Sequence, residues 1–244
     1  MLTDVSIASS DDAEQKLEES LISDEAAAAI RCQQVRSLKR SILQEVYNET
    51  PNSAKGTCSL TYGELSLASF EIVLMTALRF LEKDTMPEIR PERQMKFCDI
   101  GSGYGRLVAS ACLCEHFNKS VGIEVVPELH AAAVAARDRM LCHSLRDFVM
   151  DSTTSVDLMC LDATTAEAIG AWYDADVLYI CCTLFSVDLM HLIGELVQNH
   201  LEAGSILITV SKRLPCDISS VIPLNEIEVE CTWGSATVFF SRKK

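Results

Sequence analysis

One stretch constrains the fold more than any other: Lys96-Phe97-Cys98-Asp99-Ile100-Gly101-Ser102-Gly103-Tyr104-Gly105-Arg106-Leu107-Val108. A short apolar run ends at an aspartate, breaks into alternating glycines and resumes as a helical pattern through Leu113. That order of periods predicts a strand, a tight turn and a helix start, the opening of an α/β unit. Glycines at 101, 103 and 105 keep side chains out of the turn, so a ligand can lie against bare backbone. The following helix would aim its free N–H groups and the positive end of its dipole at the same place. Two ligand classes use such a turn. The dinucleotide pattern G-x-G-x-x-G would put its third glycine where Arg106 stands. The spacing here, G-x-G-x-G, is the form typical of S-adenosylmethionine sites. A glycine turn alone is a weak signal, because many α/β loops carry two glycines for steric reasons.

Two acids downstream strengthen it. Ser120-Val121-Gly122-Ile123-Glu124-Val125 reads as a second strand, with Glu124 about 20 residues beyond the glycines, where an acid can accept both ribose hydroxyls of a nucleoside. Pro127 then starts a helix that ends near Cys142. Residues 156–163 read as a third strand with Asp162 at its carboxyl end, where an aspartate can accept from an adenine amino group. Each acid singly could be an ordinary strand-end carboxylate; the set in consecutive units is harder to explain that way. Residues 176–185 read as a fourth strand running into a loop, Val187–Leu201 as a helix and Ser205–Val210 as a fifth strand. The end differs: Ile227–Trp233 and Ala236–Phe240 alternate about a turn at Gly234-Ser235, an antiparallel hairpin. The expected fold class is therefore α/β: a Rossmann-like seven-stranded sheet, mostly parallel, with an antiparallel C-terminal hairpin and an N-terminal helical extension.

Ahead of this, residues 1–23 are acidic and poor in aromatics and are expected to be disordered. Residues 24–57 read as a helical segment and loop whose Arg31, Arg36, Lys39 and Arg40 make a solvated face. Residues 58–244 form the α/β domain, entered through Tyr62-Gly63-Glu64 and a helix over 68–81. From spacing alone that tripeptide is a capping turn with a packed tyrosine. With 48% apolar residues the chain can bury a full core, and no run reaches the length of a membrane span. Residues 1–12 lack the basic and apolar parts of a secretory signal. The 11 cysteines include no C-x-x-C pair; Cys98, Cys112, Cys160 and Cys181 sit in apolar strands and helices, so reduced intracellular thiols and no metal site are expected. A net charge of −14 opposes unaided nucleic-acid binding and suits a basic protein partner or mere solubility.

Four stretches in order resemble the seven-strand histone-lysine methyltransferases of the disruptor-of-telomeric-silencing family, which lack a SET domain. They are Tyr62-Gly63-Glu64; Asp99-Ile100-Gly101-Ser102-Gly103-Tyr104-Gly105 with Val121-Gly122-Ile123-Glu124; Cys181-Cys182-Thr183-Leu184-Phe185; and Trp233 with Val238-Phe239-Phe240. The resemblance covers about residues 58–242. It departs from the family pattern in Cys181-Cys182 for an asparagine-rich run, Ala163 for an aromatic, Phe239 for tyrosine, Arg106 for glutamine, and the absence of a basic tract.

The resemblance implies S-adenosyl-L-methionine as cofactor, held by Tyr62, Glu64, Asp99, Gly101, Ser102, Gly103, Gly105, Glu124, Asp162, Ala163 and Cys182. It implies a substrate channel of Thr183, Leu184, Phe185, Trp233 and Phe239, a nucleosomal histone lysine as substrate, and a nuclear chromatin regulator. No conventional catalytic residue is expected, since the five histidines all read as helical. Two alternatives stay open: a class I methyltransferase acting on a non-histone protein or small molecule, and a non-catalytic binding module with this fold.

Overall fold

Five short runs form parallel strands in a sheet covered by helices; the central ones are buried on both faces and the edge one is partly exposed. In the computed structural model, which describes residues 33–47, 65–84, 95–114, 116–144, 150, 153–231 and 234–244, these are β1 (Met95–Ile100), β2 (Phe117–Glu124), β3 (Ser155–Cys160), β4 (Val177–Cys181) and β5 (Ile206–Val210). The hairpin β6 (Val221–Cys231) and β7 (Gly234–Lys243) completes a seven-stranded sheet of order β3-β2-β1-β4-β5-β7-β6. β5 pairs β7 antiparallel, with Thr209 opposite Phe239. The expected fold class is observed. The acidic segment 1–23, Tyr62, Gly63, Glu64 and Trp233 lie outside the described residues.

Helices cover both faces: α1 (33–47), α2 (Leu67–Asp84), α3 (Arg106–Cys112), α4 (Pro127–Leu141), α5 (Ala166–Trp172) and α6 (Val187–His200). One core gathers Phe70, Phe97, Phe117, Tyr179 and Phe240 beneath α2, with Phe70 edge-on to both Phe97 and Tyr179. A second places Trp172, Met190 and Ile193 against Cys98, Ile180 and Leu207. A third joins Ile42, Leu43, Val46 and Tyr47 of α1 to Tyr104, Val108 and Met140. The N-terminal helix thus shares its core with the glycine turn. Its Arg36 and Arg40, expected to be solvated, are about half exposed and both pair with Glu71 of α2. No described helix is long and apolar enough to cross a membrane.

Local detail departs from the sequence expectations at four places. β3 stops at Cys160, so Asp162 lies in the turn beyond it rather than on the strand. The β6–β7 ladder closes at Cys231 opposite Gly234, so Gly234 and Ser235 belong to β7 and not to the turn; a φ of 130° at Gly234 is open to glycine alone. Cys160 is exposed rather than packed. His116 and His143 lie outside helices, His143 beside Glu45 at 3.4 Å.

Candidate active site at the carboxyl edge of the sheet

Strand order reverses between β1 and β4, which are neighbours although two strands separate them in sequence. Loops leaving such a pair diverge to opposite faces and open a crevice at the strands' carboxyl ends. The glycine turn leaves β1 and residues 182–185 leave β4, so both border that crevice. The turn hangs from β2: the Gly101 and Ser102 N–H groups donate to the Ile123 carbonyl at 2.8 and 3.0 Å, and Gly105 N–H donates to Ser102 O at 2.8 Å. Gly101, Gly103 and Gly105 have φ of 78°, 52° and 73°, a left-handed run that side chains resist. Across the crevice the Phe185 ring lies 3.5 Å from where a Cβ on Gly101 would sit. Glycine spacing pointed to the turn; only the fold brings Phe185 to it.

Glu124 is buried at the end of β2. Its Oε2 accepts from Gly103 N–H at 2.7 Å and its Oε1 from Val126 N–H at 2.9 Å. A carboxylate offers about four acceptor positions, so one on each oxygen remains for a pair of hydroxyls. Asp99 is buried at the end of β1, and Ser102 is buried within the turn. Asp162 Oδ1 accepts from the Thr164 backbone N–H at 2.9 Å and its hydroxyl at 2.7 Å; these bonds, the backbone one first, hold the carboxyl below its ordinary range. Thr165 caps α5, and the buried Trp172 indole donates to Ala163 O at 3.1 Å, which pins the loop between β3 and α5. Left-handed glycines that a Cβ would strain, with a preset carboxylate beside them, fit a nucleoside cofactor.

Past β4 a single 3₁₀ turn carries Cys182, Thr183 and Leu184. Cys182 is wholly buried, its thiol turned to Ile180 O and pushed up to about 12 by that burial. Thr183 and Phe185 are half-buried and Leu184 is exposed. Phe239 of β7 lies under the Arg213 guanidinium, whose carbon sits 4.2 Å from the ring centroid. Sequence reasoning missed Ser211, Lys212 and Arg213, which contact this group of residues; the available signal was a polar run directly after the buried strand β5.

The fold is shared with enzymes of known structure. The rRNA methyltransferase AviRa of Streptomyces viridochromogenes aligns over 80% of this chain and 94% of its own at a TM-score of 0.52 and 13% identity. The magnesium protoporphyrin IX methyltransferase ChlM of Synechocystis PCC 6803, with S-adenosylmethionine bound, aligns over 84% and 97% at a TM-score of 0.50 and 10% identity. No curated protein matches by sequence. The family model "Histone methylation protein DOT1" matches residues 52–222, well over half of the chain. The protein belongs to the DOT1 family of histone methylation proteins and is an S-adenosylmethionine-dependent methyltransferase.

Proposed function

We propose that this protein methylates a lysine side chain of a nucleosomal histone, in the nucleus, at the crevice between β1 and β4. One observation carries the reading: the left-handed glycine turn, the preset Glu124 carboxylate and the Phe185 ring meet at one point of the sheet edge. Bound there, the cofactor supplies an electrophilic methyl on a sulfonium. The glycine turn with Asp99, Ser102, Glu124, Asp162, the Ala163 loop and Cys182 would hold it, joined by Tyr62 and Glu64. Thr183, Leu184, Phe185, Phe239 and Trp233 would wall the channel for the amine. An apolar channel disfavours the ammonium form and lowers the lysine pKa, so the nucleophile can lose its proton to water without a dedicated base. What remains is alignment and exclusion of water. The negative net charge favours a basic protein over nucleic acid as direct partner.

The test is methyl transfer from radiolabelled S-adenosylmethionine to intact nucleosomes, free histones and unrelated basic proteins. Label on a histone lysine is expected; label only on other proteins, or on none, overturns the substrate assignment. Glu124→Gln keeps the shape but loses the charge, and calorimetry should show cofactor affinity falling roughly 10- to 100-fold. Unchanged affinity would remove Glu124 from the site.

A further inference from the structure

β5 ends at Val210, and the next residue, Ser211, is the only described non-glycine with a positive φ, 68°. The left-handed region crowds Cβ against the residue's own carbonyl, and glycine would take the turn without strain. The serine side chain is used, however. Its Oγ lies 2.8 Å from Thr183 Oγ1, which lies 3.4 Å from Cys181 Sγ. Its backbone N–H donates to Thr237 O of β7 at 2.9 Å. The next residue, Lys212, donates from Nζ to Phe185 O at 3.3 Å. The third, Arg213, stacks its guanidinium on Phe239 and donates to Glu226 Oε2 at 2.6 Å. An extended strand would send alternate side chains to opposite faces. The left-handed residue breaks that alternation, and three consecutive side chains reach the loop after β4 and the terminal hairpin.

We infer that the Ser211-Lys212-Arg213 corner is a positioning device for the amine channel, with the strained Ser211 as its pivot. This rests on the channel reading above and deepens it. The corner ties the loop after β4, carrying Thr183 and Phe185, to the terminal hairpin carrying Phe239. Where the amine loses its proton to water, the rate of an in-line displacement depends on how narrowly those walls hold the amine. Ser211 touches neither reactant; it acts through Thr183.

Ser211→Gly separates the roles, because it relaxes the backbone while deleting the hydroxyl. Ser211→Asn tolerates the same φ and returns a polar side chain. Lys212→Met tests the second tie. The full chain is used, with three readouts: cofactor affinity by calorimetry, amide hydrogen exchange across residues 181–185, and kcat and KM for methyl transfer to nucleosomes. Ser211→Gly is expected to keep its melting temperature and cofactor affinity, to exchange faster across 181–185, and to lose about 10-fold or more in kcat. Ser211→Asn is expected to recover part of both losses. Unchanged exchange in both Ser211→Gly and Lys212→Met overturns the inference, as does a wild-type kcat despite faster exchange. Should the wild-type chain transfer no methyl to nucleosomes, the substrate reading falls alone and the exchange comparison still decides the role of the corner.

Discussion

Gly122, opposite Asp99 in the β1–β2 ladder, has no room for a side chain. A Cβ there would come within 2.8 Å of both Leu158 Cδ2 and Ser102 Oγ, and 2.9 Å of Val108 Cγ2. Gly122→Ala therefore overpacks the junction beneath the glycine turn, and denaturant unfolding should show a loss of about 1–3 kcal/mol. Glycine 101 is different in kind: a methyl there meets only the edge of Phe185, and its φ of 78° is what excludes other residues. The thiols divide by burial in the same way. Cys98 and Cys182 are shielded, and burial raises both far above the ordinary thiol range, whereas Cys142 and Cys160 are exposed. Since the thiolate is the nucleophile, iodoacetamide at mildly alkaline pH should label Cys142 and Cys160 before the other thiols of the described residues, as mass spectrometry of the labelled chain would show. Early labelling of Cys182 would show that the loop after β4 opens in solution.

At the scale of elements, short helices around the crevice depend on their caps. α6 begins with Ser186, whose Oγ accepts from Leu189 N–H at 3.2 Å directly after Phe185. Ser186→Ala should cost about 1 kcal/mol in thermal unfolding and slow methyl transfer by loosening the Phe185 backbone; an unaltered melting curve would mean water replaces the cap. The seven-residue α3 has a left-handed glycine instead, Gly105, with no side-chain cap. Element identity was legible from residue order, because helical and strand periods depend on neighbours within a few positions. Element ends were less so. The apolar run through Leu161 suggested a longer β3, but Asp162 turns the chain by accepting Thr164's own backbone N–H, a local bond that competes with the ladder. Conversely the hairpin is longer than its alternation implied, since β6 continues through Pro223 to Val221, where residues at the free edge of the sheet need not alternate.

At the scale of the molecule, the crevice, the three cores and α1 form one connected unit: Tyr47 of α1 lies beneath the Arg106 guanidinium, 5.2 Å from its carbon, just after the glycine turn. A ligand that joins β1, β2 and the loop after β4 should stabilise the whole fold. S-adenosylhomocysteine at about 100 times its Kd adds about 2.7 kcal/mol, a rise of roughly 5–10 °C in Tm for a chain of this size. Scanning calorimetry checks it, with a nicotinamide dinucleotide as the control expected to give no shift; a shift from the dinucleotide alone would contradict the glycine-spacing argument. The residues that sequence alone determined are those whose chemistry is local: the glycines that accept left-handed backbone, the carboxylate ending β2, the alternation of the hairpin. Tertiary structure alone decided that Phe185 meets Gly101, that Cys182 turns its thiol into the core, and that Ser211, marked by no glycine, bends the chain toward Thr183. Those facts depend on which strands become neighbours across the switch point, and contacts between residues far apart in the chain leave no period for a sequence to display.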